Sequence, residues 1–168
     1  GIHFFNPVAL MPLVEVVAGT QRDPAIVQRA AAFVRRIDKL PLPVTSTPGF
    51  LVNAVLAPYL REAMACVDEG LAPESVDAAL VAFGMPMGPI ELADTVGLDV
   101  ALAAGRQLVG GDPPRCLAER VAAGQLGRKT GQGFYRWTEA GPLRGQGAPA
   151  PAGLADRLIA PLVARTRE

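Results

Sequence analysis

Histidine is almost missing from this chain, and cysteine nearly so: His3 stands alone, and Cys66 and Cys116 are the two thiols in 168 residues. One imidazole and two distant cysteines in no CxxC or CxxH spacing exclude a metal-ligand cluster. The thiols read as buried and reduced, which points to a reducing compartment. An excess of either charge is also absent, because sixteen Lys and Arg balance sixteen Asp and Glu. Without a strong field, nucleic acid and anionic membrane drop out as partners. Long apolar runs are lacking as well. The longest uncharged stretch, residues 40–60, is broken by Pro41, Pro43, Pro48 and Pro58 and contains Asn53, which excludes a membrane span. The first residues form an apolar run with no basic leader, so no signal peptide is expected and the expected location is cytoplasmic.

What the chain does have is enough apolar material for a core: 50% hydrophobic residues against 19% charged. Ile2-His3-Phe4-Phe5 and Leu13-Val14-Glu15-Val16-Val17 read as short strands separated by Asn6-Pro7 and Met11-Pro12. Such near-continuous apolar strands suit the inside of a larger sheet, so they are expected to be the end of a sheet that begins earlier, with edges left to be covered. Asp23 as N-cap and Pro24 at the first helical position start a helix whose stripe is Ile26, Val27, Ala30, Ala31, Val34 and Ile37. Leu42 to Val44 adds one more strand, and Thr47-Pro48-Gly49 marks the expected domain boundary.

Beyond that boundary the pattern is helical. A long helix carries Val52, Val55, Leu56, Tyr59, Leu60, Ala63, Met64 and Val67 on one face, with a kink expected at Pro58 and a stop at Gly70. Further helices are predicted over Pro73–Phe83, Ile90–Val96, Leu98–Leu108 and Arg115–Ala123, followed by a glycine-rich loop and a short extended end at Phe134–Trp137. Residues 141–153 read as a linker rich in Gly, Pro and Ala. After it, Leu158-Ile159-Ala160-Pro161-Leu162-Val163 echoes Val55-Leu56-Ala57-Pro58-Tyr59-Leu60, which suggests the start of a second helical copy. Alone, that helix would fray or borrow a neighbouring surface.

Two places invite chemistry. His3 and Glu15 lie on successive strands, and a turn that pairs them would let the carboxylate hold the imidazole in one tautomer as a general base. A strand histidine satisfied by a backbone carbonyl is the plainer alternative. Asn53, near the start of the long helix, suits either a neutral hydrogen-bond donor to a carbonyl or a local cap. Gly145-Gln146-Gly147 and the loop 124–130 imitate nucleotide-binding signatures, but neither follows a strand.

The runs His3-Phe4-Phe5-Asn6-Pro7-Val8 and Met11-Pro12-Leu13-Val14-Glu15-Val16 resemble 3-hydroxyacyl-CoA dehydrogenases. So do Thr47-Pro48-Gly49-Phe50-Leu51-Val52-Asn53, Gly84 to Pro89, Asp94 to Asp99, and Gly127 to Tyr135. The ordered set spans nearly all of residues 1–137. The resemblance implies a mainly α chain: a helical C-terminal domain over residues 47–140, preceded in 1–46 by the last strands and helix of a truncated Rossmann-type α/β domain. A linker (141–153) and an incomplete second repeat (154–168) follow. It also implies His3, Glu15 and Asn53 as the catalytic set, with Asn6 and Lys129 near the nicotinamide end of NAD. The implied substrate is an acyl-CoA, the implied pathway fatty-acid β-oxidation, and the implied assembly a homodimer through the helical domain. A multifunctional fatty-acid oxidation subunit is one implied setting, and breakdown of aromatic acids another. The glycine-rich cofactor-binding part lies outside this sequence, so the chain alone is expected to be inactive. The competing reading is a non-enzymatic dimerisation module of a crystallin-like relative.

Overall fold

The computed structural model describes residues 1–19 and 23–166. The chain divides into two compact units, Gly1–Val52 and Asn53 onward. It is mainly helical, with an amino-terminal β-α-β stretch of Rossmann type.

The first unit is a three-stranded sheet. Strands β1 (Ile2–Phe4) and β2 (Leu13–Ala18) pair antiparallel, and β3 (Leu40–Thr45) joins β2 in parallel after helix α1 (Pro24–Arg36). A parallel partner requires such a crossover. Helix α1 starts as its sequence dictates, with Asp23 accepting from the Ala25 N–H at 2.8 Å and Pro24 behind it. The prolines of β3 follow the pleat. Leu40 and Ser46 donate to β2 through Pro12 and Ala18, so Pro41 and Pro43 turn their missing N–H groups to the outer edge. That edge loses donors with which another strand would pair. Only Val14, Val16 and Val34 form the buried centre here, packed by Phe4, Val27 and Ala30. The predicted stripe of α1 is therefore covered in part. Ala31 and Val34 are buried, but Ile26 and Ile37 stay exposed because three short strands are too narrow to cover the whole helix.

The second unit holds the larger core. Helices α2 (Val52–Asp68), α3 (Pro73–Phe83), α4 (Pro89–Val96), α5 (Leu98–Leu108) and α6 (Arg115–Ala122) converge on Tyr59, Met64, Val76, Leu80, Ile90 and Leu98. Helix α2 continues through Pro58 without a break. Helix α3 stops at Gly84, whose φ of 118° suits only a residue without a side chain. The turn at Arg128–Thr130 and the hairpin β4 (Arg136–Thr138) and β5 (Gly141–Leu143) close the domain.

Residues 141–153, which read as a linker, carry specific contacts after β5. Arg144 pairs with Glu91, Gly145 donates to Glu74 at 3.0 Å, and Ser75 donates to the Ala148 carbonyl at 2.6 Å. Helix α7 (Leu154–Thr166) then packs on α3, burying Leu154 and Leu158, while Arg157 bridges Glu62 of α2 and Glu69 just after it. The lone helix thus takes its apolar partner from the same core.

Candidate functional site

Antiparallel register places His3 opposite Glu15 across β1 and β2. Their side chains meet at 2.8 Å, Nδ1 to Oε2. With the carboxylate ionised it can only accept, so in that state Nδ1 donates and the lone pair of a neutral ring lies at Nε2. The imidazole is one-third exposed, whereas the carboxylate is fully buried. Burial of an anion is tolerable only with donors around it, and Glu15 has them. Its other oxygen, Oε1, accepts from the backbone N–H groups of Leu51 at 3.0 Å and Val52 at 2.9 Å. Two aromatic rings flank the imidazole: Phe5, edge-on at 4.8 Å, and Phe50, tilted at 5.4 Å between centroids. The result is an imidazole held by a buried carboxylate and two rings, and still partly exposed.

Asn6 is exposed on the loop that follows β1. That loop is held by Lys39, whose ammonium donates to the carbonyls of Val8 at 2.6 Å and Met11 at 2.9 Å.

In the second unit, Asn53 is exposed in the first turn of α2 and lines a cleft of about 100 Å³. Leu56, Leu60, Met64, Val100 and Leu117 make this cleft apolar, and Arg61 and Arg106 add charge. Lys129 is already paired with Asp99 at 2.5 Å. The hydrogen bond from Lys129 holds the Asp99 carboxyl below the usual carboxylate range. The structure therefore joins His3 to Glu15, puts Asn6 on the loop three residues after His3, and engages Lys129 with a carboxylate.

Sequence patterns missed two buried carboxylates that organise the second unit. Asp94 is wholly buried and accepts from the N–H groups of Phe134 and Tyr135 and from the Trp137 indole, each at 2.9 Å. A Cβ on Gly133 would come within 2.2 Å of Asp94 Oδ1, so glycine is required there. Asp77 caps α4 from a distance, accepting from Ile90 at 2.7 Å, Glu91 at 3.0 Å and the Tyr135 hydroxyl at 2.7 Å. Gly88 precedes α4 and has no side chain with which to cap it. Burial raises the Asp77 carboxyl to about 6 despite those donors. Neither carboxylate meets an imidazole among its hydrogen-bond partners, which are backbone N–H groups, an indole and a buried phenol.

The remaining groups are quiet. Burial pushes the Cys116 thiol up to about 12 and raises that of Cys66, as befits unreactive core thiols. Among the described residues no group of His, Cys, Asp and Glu could hold a metal, and no helix is long and apolar enough to cross a membrane.

A dinucleotide needs a cradle for its pyrophosphate, typically a glycine-rich turn at a helix N-terminus. At the start of helix α1 the Asp23 carboxylate accepts from the Ala25 N–H, which places an anionic group where a phosphate would have to approach.

Comparison with known proteins agrees with this anatomy. The model of the 3-hydroxyacyl-CoA dehydrogenase NAD-binding domain matches residues 1–47, and that of the C-terminal domain matches residues 49–137. A probable 3-hydroxybutyryl-CoA dehydrogenase of Deinococcus radiodurans is 44% identical over 146 residues, covering 82% of this chain and 52% of the relative. The crystal structure of M. tuberculosis FadB2 superposes with a TM-score of 0.76 at 40% identity, over 82% of this chain and 52% of that one. The (S)-3-hydroxybutyryl-CoA dehydrogenase PaaH1 of Ralstonia eutropha gives 0.75 at 38% identity, over 83% and 52%. The chain spans about half the length of these relatives. From the His-Glu strand pair to the helical core, the chain belongs to the 3-hydroxyacyl-CoA dehydrogenase family.

Proposed function

We propose that this chain supplies the proton-accepting base and the substrate-side helical domain of an NAD-dependent L-3-hydroxyacyl-CoA dehydrogenase, and that it is inactive without a glycine-rich cofactor-binding segment. The observation that carries the reading is the 2.8 Å bond from His3 Nδ1 to a fully buried Glu15, which leaves Nε2 as the basic atom. NAD, when bound, supplies the hydride acceptor. His3 Nε2 takes the proton of the 3-hydroxyl as the hydride leaves C3 and the carbon–oxygen bond becomes a carbonyl. Glu15 stabilises the imidazolium so formed and, anchored by Leu51 and Val52, cannot swing away from it. Asn53 donates its amide hydrogens to substrate oxygen, and Asn6 approaches the nicotinamide.

Two features support an acyl-CoA substrate. The cleft beside Asn53 is apolar, which suits an acyl chain, and Arg61 and Arg106 at its wall suit an anionic carrier. Exposed Val81, Phe83, Val96 and Val100 support a homodimer through the helical domain. Fatty-acid β-oxidation is the pathway this chemistry serves.

The test is NADH formation from L-3-hydroxybutyryl-CoA by the full-length protein and its His3→Gln variant. Loss of a general base should lower turnover by about 10²–10⁴-fold. Wild-type turnover in His3→Gln would remove the imidazole from the reaction. A full-length protein that oxidises nothing would favour the crystallin-like, non-enzymatic alternative.

A further inference from the structure

Phe50 occupies a backbone conformation that its side chain does not favour. Its φ is 52°, directly after Gly49 at 75°. Among the described residues the other non-glycine with positive φ is Asp38, whose short polar side chain tolerates that region. A bulky aromatic does not, and such an outlier persists only where its surroundings enforce it. Core packing does not supply the reason. Phe50 is half-buried and belongs to neither apolar cluster, and its ring contact is with His3.

The geometry gives a different reason. The turn closed by the Phe50 N–H on the Thr47 carbonyl, at 2.9 Å, sends the next two N–H groups onto Glu15 Oε1. The same turn lays the Phe50 ring against the imidazole. One left-handed residue therefore satisfies the carboxylate and walls the base. Glycine would adopt the backbone more readily but would leave the ring position empty.

We propose that Phe50 is a positioning residue for the His3 base: its ring, with Phe5, fixes the imidazole plane so that Nε2 points at the substrate hydroxyl. The idea rests on the reading of His3 as the proton acceptor. It assigns Phe50 to the reaction step and not to substrate affinity or to folding.

The experiment uses the full-length protein with NAD and L-3-hydroxybutyryl-CoA, and the variants Phe50→Gly, Phe50→Leu, Phe50→Tyr and His3→Gln. Phe50→Gly relieves the backbone while deleting the ring, so its melting temperature should lie within about 5 °C of wild type. Its kcat should fall about tenfold or more with KM changed less than about threefold, because an interaction made only in the reacting geometry is lost. Phe50→Tyr keeps the ring and should restore kcat to within about threefold of wild type, a rescue that lost stability alone would not need. Phe50→Leu, which keeps apolar bulk without a ring plane, should resemble Phe50→Gly, and it reads the same effect should the glycine variant fail to fold. Wild-type kcat in Phe50→Gly or Phe50→Leu, with His3→Gln inactive, overturns this inference alone. An active His3→Gln removes the base and this inference with it. A fall confined to KM, or a tyrosine variant as slow as the glycine one, also overturns it.

Discussion

Among the described residues each unit buries one carboxylate completely, and the two have different partners. Asp94 turns both oxygens to donors that belong to the fold: two backbone N–H groups and an indole. Glu15 gives one oxygen to the backbone and the other to an imidazole that reaches solvent. The surroundings differ accordingly. Asp94 sits in a unit with a broad apolar core, whereas Glu15 sits on a three-stranded sheet whose buried centre is three valines. A buried charge in the larger core closes a hairpin onto helices. In the small unit it is held ready for a titratable partner. Burial by itself does not separate the two carboxylates; the partner of the second oxygen does.

The strongest challenge to that contrast is Asp94→Ala. It leaves three donors, one buried and two partly buried, without their acceptor, and at about 1–3 kcal/mol for each unmet group the unfolding free energy should drop by roughly 4 kcal/mol. Urea denaturation reads it, and a loss below about 1 kcal/mol would show that Asp94 does not clamp the hairpin. Leu158→Ala comes next. Its side chain is fully buried in the helical core, so truncation should cost about 2–5 kcal/mol. An exposed, frayed α7 would instead leave the midpoint unmoved.

A smaller effect appears in pH dependence. Asp77 has a folded value near 6 against an ordinary 3.8, so the folded state holds the extra proton between those values. Its contribution to stability is present in full below pH 4 and is lost as pH rises through about 6. A shift of about two units corresponds to an upper limit of about 3 kcal/mol. Asp77→Asn cannot titrate, so the wild-type-minus-variant stability difference should slope downward from pH 4 to 6 and level off above. A flat difference across that interval would refute the raised value. Smallest of all is Arg157→Ala. Its bridges to Glu62 and Glu69 are largely exposed, and their loss should cost less than about 1 kcal/mol and shrink further in salt.

Much of this architecture is legible in local sequence. Proline at the first turn of α1 and α3, and glycine after α3, act within a few residues of themselves, so the helix limits follow directly. The His3–Glu15 pairing was also within reach, because twelve residues with a central turn make an antiparallel hairpin in which the two can face each other. Three things were not legible. Asp77 and Asp94 bind donors 13 to 58 and 40 to 43 positions away, spacings that no periodicity marks. The stripe of α1 overstated burial, since a pattern shows which face is apolar but not whether the sheet is wide enough to cover it. Phe50 looked like any aromatic in a motif, and only its φ sets it apart.

The most direct measurement compares Glu15→Gln with Asp94→Asn in the full-length protein, reading kcat and melting temperature for both. The glutamine still accepts from Leu51 and Val52 but gives His3 a neutral partner in place of a charged one. Turnover should fall about tenfold or more while the melting temperature moves little. Asp94→Asn should lower the melting temperature and leave kcat per folded molecule unchanged. Equal losses of stability with no change in turnover for Glu15→Gln would contradict the claim that the His3–Glu15 pair is the working base.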